Sequence, residues 1–76
     1  MARAYVRICV NVGKERELRD EIRKYPEVKS AEITAGEQDL IALVEAGSFE
    51  EILSVVSNKI RKNPNIKVTW TNFILE

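Results

Sequence analysis

The chain has 76 residues and a mass of 8.7 kDa, the size of one small domain. Twelve Lys and Arg residues balance twelve Asp and Glu residues, so the formal net charge is zero. This balance argues against direct binding to nucleic acid, which normally needs a basic surplus. There is no His and one Cys, so neither an internal disulfide nor a Cys/His zinc site can form, and no metal or cofactor is expected.

No apolar run approaches the ~18 residues of a membrane span, and the N-terminus lacks the apolar segment of a signal peptide. A soluble, cytoplasmic protein with no membrane contact is therefore expected. Such a short chain buries only about 60% of its unfolded surface on folding. Because small domains without disulfides or metals often gain stability by association, we expect a homo-oligomer.

The N-terminal part of the chain predicts a strand followed by a helix. Apolar residues alternate with others from Arg3 to Val12, which indicates a strand whose even-numbered side chains enter the core. Gly13 ends this strand. Between Lys14 and Pro26 the apolar residues return at helical spacing, at Leu18, Ile22 and Tyr25.

Two further strands are predicted to form a hairpin. The first runs from Val28 to Ala35 and the second from Leu40 to Ala46. A four-residue turn, Gly36-Glu37-Gln38-Asp39, joins them. The second of these strands is apolar at both parities, so we expect both of its faces to be covered.

The C-terminal part predicts a capped helix and a last strand. Ser48 and Glu51 have the spacing of a capping box, which opens a helix. That helix should stop before Asn63-Pro64, because a residue that precedes proline avoids helical geometry. Ile66 to Leu75 follows as the fourth strand. The predicted apolar stripe of the helix comprises Phe49, Ile52, Leu53, Val56 and Ile60.

An internal repeat organises these elements into two halves. The segment IRKYPEVK at residues 22–29 returns as IRKNPNIK at residues 60–67. Two βαβ halves with right-handed crossovers give an α+β, ferredoxin-like βαββαβ fold, a four-stranded antiparallel sheet with two helices on one face. The other sheet face is expected to carry Tyr5, Cys9, Ile41 and Leu43. A second copy, packed sheet to sheet or edge to edge, would cover this apolar face, and we expect an α/β-barrel-like homodimer.

The order and spacing of these elements resemble a known family. The segments AGEQDLI at residues 35–41 and IKVTWT at residues 66–71 carry the resemblance, which extends from Arg3 to Leu75. The chain resembles the ligand-binding domain (RAM domain) of the Lrp/AsnC feast/famine transcriptional regulators. The resemblance implies a non-enzymatic regulatory module that forms dimers and rings of dimers, with effectors, usually amino acids, bound between dimers.

We expect residues 1–76 to form one such domain without a helix-turn-helix. The chain would then act through protein partners, for example by assembling with full-length Lrp/AsnC regulators. The resemblance points to one effector site, formed by Gly36, Glu37, Gln38, Asp39, Thr69 and Thr71. Asp39 or Glu37 would accept bonds from an ammonium group, and turn amides with the Thr hydroxyls would bind a carboxylate.

Other interpretations of these residues remain open. The turn and the threonines are also ordinary hairpin and strand residues. Gln38 stands where the family commonly has Tyr, so a purely structural oligomerisation partner without a ligand is one alternative. A small dimeric α/β-barrel enzyme is a weaker one, because the chain has no His. Trp70 and Phe73 lie on opposite faces of the last strand, and each is a candidate for either the core or a subunit interface.

Overall fold

The computed structural model describes all residues, 1–76. The elements follow the order β1 (Ala2–Val10), α1 (Glu15–Ile22), β2 (Val28–Ile33), β3 (Leu40–Ala46), α2 (Phe49–Val55) and β4 (Ile66–Phe73), and a π-helical turn (Val56–Ile60) extends α2. The strands form one antiparallel sheet in the order β2-β3-β1-β4. The predicted ferredoxin-like βαββαβ fold is therefore confirmed.

The core lies between the sheet and the two helices. It contains 16 buried residues, and all of them are apolar. The even-numbered residues of β1 from Ala4 to Val10 and those of β3 from Leu40 to Ala46 enter this core. Burial of each large aliphatic side chain contributes about 1.5–3 kcal/mol, so the alternation in these two strands largely decides which sheet face the helices cover.

Three strands end earlier than the sequence predicted, and the last of them, β4, ends at Phe73 rather than at Leu75. β1 ends at Val10, and the side chain of Val12 is 91% exposed, so its predicted place in the core is wrong. The reason is local: the Asn11 amide donates to the Asn65 carbonyl at 2.8 Å, and Gly13 turns the chain at φ +84°. β2 likewise ends at Ile33, which leaves Ala35 exposed in the turn.

The helix on the C-terminal side faces the sheet differently from the prediction. Ile52, Val56 and Ile60 are buried as expected, whereas Phe49 is 40% and Leu53 is 48% exposed. Val55 takes part in the buried stripe instead. One residue advances a helix by about 100°, so Leu53 lies well to the side of a stripe that is centred on Ile52.

The two repeated segments adopt the same turn. Each turn is closed by two backbone hydrogen bonds. In the first, the Tyr25 amide donates to the Ile22 carbonyl and the Val28 amide to the Tyr25 carbonyl. In the second, 38 residues later, the Asn63 amide donates to the Ile60 carbonyl and the Ile66 amide to the Asn63 carbonyl. The shared sequence therefore forms the same connection between a helix and the following strand. The π-helical turn, closed by the Arg61 amide on the Val56 carbonyl at 2.8 Å, has no counterpart in α1.

The helices leave one face of the sheet uncovered. We call this surface the open face; it comprises Arg3, Tyr5, Arg7 and Cys9 of β1, Ile41, Leu43 and Glu45 of β3, Ser30 and Glu32 of β2, and Val68, Trp70 and Asn72 of β4. Tyr5 and Trp70 are 48% and 40% exposed there. Trp70 therefore belongs to the open face, whereas Phe73 packs against the core and stacks on Phe49 with ring centroids 4.4 Å apart. Neither helix is long and apolar enough to cross a membrane.

Candidate functional site

The turn between β2 and β3 is held in place by backbone and side-chain hydrogen bonds. The Thr34 amide donates to the Asp39 carbonyl at 2.9 Å, which closes the turn. The Asp39 amide then donates to the Ile8 carbonyl at 2.9 Å, and this bond joins the turn to β1. Gly36 adopts φ +144°, a conformation that side chains with a Cβ rarely take. The turn is thus a fixed structure at one end of the sheet.

Asp39 has a clear role within this structure. Its Oδ2 accepts a hydrogen bond from the Val10 amide at 2.8 Å, at the point where β1 ends. The side chain is half-buried, and no partner occupies its second oxygen, Oδ1. Gln38 is tied to Thr34, whose hydroxyl bonds the Gln38 carbonyl at 3.3 Å. Asp39 therefore combines a structural bond with an acceptor that remains available to a ligand.

An open cleft of about 440 Å³ lies beside this turn. Its walls come from the loop that follows β1, the start of α1 and the end of β2, and they comprise Gly13, Glu15, Arg16, Ile33, Thr34 and Asp39. Glu15 and Asp39 contribute negative charge, Arg16 contributes a guanidinium and Thr34 a hydroxyl. Such a lining offers both acceptors for a cation and donors for an anion within one small cleft.

The structure does not bring the two predicted threonines to this cleft. Thr69 pairs with Ile8 and Thr71 with Val6, so β1 lies between both threonines and the turn. Leu40, the first residue after the turn, is also a partner of Ile8, on its other side. Two strand spacings of about 4.8 Å separate β4 from β3, which is roughly 10 Å. Within one chain, the turn residues lie together and the threonines lie apart from them.

A second cleft, of about 290 Å³, is lined by residues that already bond one another. Lys59 Nζ contacts both carboxylate oxygens of Glu27, at 2.9 and 3.0 Å. Asn58 donates to the Ser54 hydroxyl at 3.0 Å, and the Gly47 amide donates to Glu51 at 2.9 Å. Because these polar groups are engaged, the cleft beside the β2–β3 turn is the better candidate for a ligand.

Sequence reasoning missed five residues of the better cleft: Gly13, Glu15, Arg16, Ile33 and Thr34. A topological signal could have found them. β1 and β2 run in the same direction, because each is antiparallel to β3. The loop after β1 and the turn after β2 must therefore meet at the same end of the sheet. No group of three or more His, Cys, Asp or Glu residues is placed to hold a metal ion.

Two basic residues near the ends of the helices, Arg23 and Lys59, are engaged within the fold. Arg23 donates to the Ala31 carbonyl at 3.0 Å and lies 3.5 Å from the Glu32 carboxylate. Lys59 pairs with Glu27. The bond from Lys59 is also the main cause that holds the pKa of the Glu27 carboxyl below its usual value. These contacts account for Arg23 and Lys59 without a nucleic-acid partner.

A four-stranded sheet with two helices on one face, an uncovered opposite face and a polar cleft at the end of a hairpin describe a small domain of the ferredoxin-like class with one candidate ligand site. Residues 3–76 match the family model of the Lrp/AsnC ligand-binding domain, and the chain belongs to this family. The resemblance predicted from the sequence is thus confirmed over nearly the whole chain. The family is one of regulators, which confirms the predicted non-enzymatic role.

Solved structures agree with this assignment. FFRP-DM1 is 36% identical, with a TM-score of 0.94 over 99% of this chain and 100% of that protein. The hypothetical protein PHS023 from Pyrococcus horikoshii is 39% identical, with a TM-score of 0.92 over 100% of this chain and 93% of the other.

A longer regulator shares the fold. The transcriptional regulator NMB0573 from Neisseria meningitidis, solved as a complex with L-Met, is 21% identical with a TM-score of 0.88, over 99% of this chain and 50% of that one. The present chain thus spans about half the length of that regulator. A comparison with curated protein sequences found no match.

Proposed function

We propose that this chain binds an amino acid and couples that binding to self-association, and that it regulates transcription through a protein partner. The observation that carries the proposal is the cleft beside the β2–β3 turn, which is lined by Arg16 and by two carboxylates, Glu15 and Asp39. A free amino acid carries both charges at neutral pH. Charge-assisted hydrogen bonds of this kind are about twice as strong as neutral ones.

The free Oδ1 of Asp39 is the natural acceptor for the ammonium group, because Oδ2 is already bonded and holds the carboxylate still. Arg16, which has no side-chain partner within the chain, is placed to bind a carboxylate in the same cleft. The L-Met complex of the related regulator NMB0573 supports an amino acid as the ligand class. The turn residues Gly36, Glu37 and Gln38 frame this part of the proposed site.

Thr69 and Thr71 belong to the proposal in a different way. About 10 Å of sheet separates them from the turn, so one chain cannot offer both groups to a single small ligand. We therefore place the complete site between subunits, with the turn from one chain and the threonines from another. This arrangement links binding to assembly, because a ligand that fits only the assembled state shifts the equilibrium toward it.

The assembled form in this proposal is a homodimer through the open face, and such dimers join into a ring. The half-exposed Tyr5 and Trp70 supply the apolar contact area that a stable interface needs. In this proposal residues 1–76 act as a single effector-binding and oligomerisation domain, located in the cytoplasm. The effect on transcription then passes through a partner such as a full-length Lrp/AsnC regulator with the same kind of domain.

The test combines native mass spectrometry and thermal unfolding, with and without each of the twenty amino acids. We expect one or a few of them to raise the unfolding temperature and change the oligomer distribution, since a ligand selective for the native state stabilises it. Arg16→Gln should abolish this response without unfolding the chain, because Arg16 forms no ion pair or side-chain bond in the fold. Lys62→Gln, another exposed cation, is the matched control.

A second candidate is a structural partner that assembles without an effector. Gln38 favours it, because its side chain reaches toward Thr34 at 3.5 Å and takes the place of the Tyr that is common in the family. This candidate predicts a stable oligomer that does not respond to any of the twenty amino acids. Failure to recover mixed assemblies with a full-length relative from cell extract would contradict the partner role in both candidates.

A further inference from the structure

The cleft beside the β2–β3 turn carries more negative charge than positive charge. Its lining contains two carboxylates, Glu15 and Asp39, and one guanidinium, that of Arg16. Carboxylates and guanidinium groups are ionised at neutral pH, so these three side chains leave one negative charge in excess. An amino acid with a neutral side chain has no net charge and cannot balance this excess.

Glu15 is the carboxylate of the cleft that has no partner in the fold. Its side chain is half-buried and forms no ion pair and no hydrogen bond within the chain. Glu17 is the other acidic residue in the first turn of α1, and it lies 3.8 Å from Lys14 Nζ. The helix dipole favours both acidic residues, but only Glu15 lines the cleft.

The side-chain donors of the cleft are fewer than its acceptors. The Thr34 hydroxyl already donates to the Gln38 carbonyl at 3.3 Å, which leaves Arg16 as the free side-chain donor. In the proposed function the ligand carboxylate occupies Arg16 and the α-ammonium group occupies Oδ1 of Asp39. Glu15 then remains an acceptor without a donor. A neutral ligand side chain would remove water from this carboxylate and offer no hydrogen bond in return, which is unfavourable.

We propose that the amino acid bound in this cleft has a cationic side chain, as L-lysine and L-arginine do, and that Glu15 selects it. This inference rests on the proposed function, which places an amino acid in the cleft. Such a ligand brings two cationic groups and one carboxylate, which match the charges of the lining. Ile33 is the one hydrophobic side chain of the lining and is 40% exposed. It offers an apolar surface to the methylene groups that lysine and arginine have in common.

A second subunit offers another source of positive charge for Glu15. The proposed site takes Thr69 from another chain, and Lys67 is exposed two residues before it on β4. Two residues of a strand span about 6.6 Å, a distance that a lysine side chain can bridge. If Lys67 neutralised Glu15 in the assembly, the cleft would not distinguish a cationic ligand from a neutral one. Two ligands that differ in a single ammonium group decide between these arrangements.

L-Lysine and L-norleucine are such a pair, because both have an unbranched four-carbon side chain and only lysine ends in an ammonium group. In isothermal titration calorimetry we expect the unchanged chain to bind L-lysine about tenfold more tightly or better, since charge-assisted hydrogen bonds are the stronger ones. Glu15→Gln should abolish this preference by weakening the binding of lysine, whereas Glu15→Asp should retain much of it. Glu50→Gln is the matched control, because it removes an exposed acidic residue from the first turn of α2.

The possible results separate this inference from the proposed function. A preference for L-lysine that declines with added salt and is lost in Glu15→Gln supports the inference. Equal binding of L-norleucine and L-lysine overturns it and leaves an amino-acid site standing. A preference for L-lysine that Glu15→Gln does not change overturns the role of Glu15. If none of the twenty amino acids binds, both the inference and the proposed function fail. Arg16→Gln should weaken both ligands alike, because they share the carboxylate.

Discussion

Lys59 Nζ lies 2.9 Å from Oε1 of Glu27, and this ion pair joins the π-helical turn after α2 to the turn that precedes β2. The ammonium group also lies 5.7 Å from the centre of the Tyr25 ring, and the Tyr25 hydroxyl donates to the Lys59 carbonyl at 3.3 Å. The two turns that arise from the sequence repeat are thus linked to each other by charge, by an aromatic contact and by a hydrogen bond.

This pair predicts how stability depends on pH. The hydrogen bond from Lys59 lowers the pKa of Glu27 in the folded chain, so the ionised form stabilises the fold at pH values above the unfolded-state pKa. This contribution is lost as the pH falls through the lowered pKa. We expect Glu27→Gln to reduce the free energy of unfolding at pH 7 by about 0.5–1 kcal/mol, the range of partly exposed ion pairs.

Urea unfolding from pH 7 down to about pH 2.5 checks this prediction. The difference between the variant and the unchanged chain should shrink toward zero at the acidic end. Glu50→Gln is the control, since Glu50 is exposed and forms no ion pair. All samples need the same protein concentration, because self-association also changes apparent stability. A difference that persists at low pH would contradict the assigned cause.

The cap of α2 gives a second prediction. The Ser48 hydroxyl accepts a bond from the Glu51 amide at 3.1 Å, while the Glu51 carboxylate accepts from the Gly47 amide at 2.9 Å. Ser48→Ala should cost about 1 kcal/mol in the free energy of unfolding, the usual value of an N-cap. Ser57→Ala is the matched control, because Ser57 is exposed in the π-helical turn. Equal losses for the two variants would show that the cap is not the cause.

Much of the fold could be predicted from the sequence, because its strongest signals are periodic. Alternation identified β1, and the bounds of β3 were predicted as Leu40 to Ala46, as observed. The repeat identified the two equivalent turns. The π-helical turn could not be predicted, since it adds one residue to a helix whose local sequence shows no break. Val12 was misplaced because its apolar side chain continues the alternation of β1 beyond the last strand residue.

The candidate site was harder to predict than the fold. The turn from Gly36 to Asp39 was found because turn residues are concentrated there. Arg16 and Thr34 were missed, since nothing in their own neighbourhood marks them; only the direction of β1 and β2 brings them to the turn. The distance between the turn and Thr69 also follows from topology, because the strand order places β1 between β3 and β4.

Gly36 provides a prediction about the turn itself. A Cβ at this position would meet no atom within 4 Å, so any cost of Gly36→Ala comes from the backbone conformation at φ +144°. We expect a loss of about 1–3 kcal/mol in the free energy of unfolding, the range for a residue held in a sparsely populated region. Glu37→Ala changes a residue of the same turn that has no positive φ, so it should reduce the free energy of unfolding much less. Chemical denaturation of both variants measures the difference, and equal stabilities would contradict it.

The open face is tested separately by two aromatic residues of equal exposure. Trp70 and Phe49 are each 40% exposed, but Trp70 lies on the open face and Phe49 on the helix side. If the open face is the dimer interface, Trp70→Ala should raise the dimer Kd at least tenfold, because buried aromatic residues dominate interface energies. Phe49→Ala should leave the Kd nearly unchanged, although it removes the stacking on Phe73 and lowers stability. Sedimentation equilibrium of both variants gives the comparison. A larger effect of Phe49→Ala would move the interface to the helix side and exclude the open-face dimer.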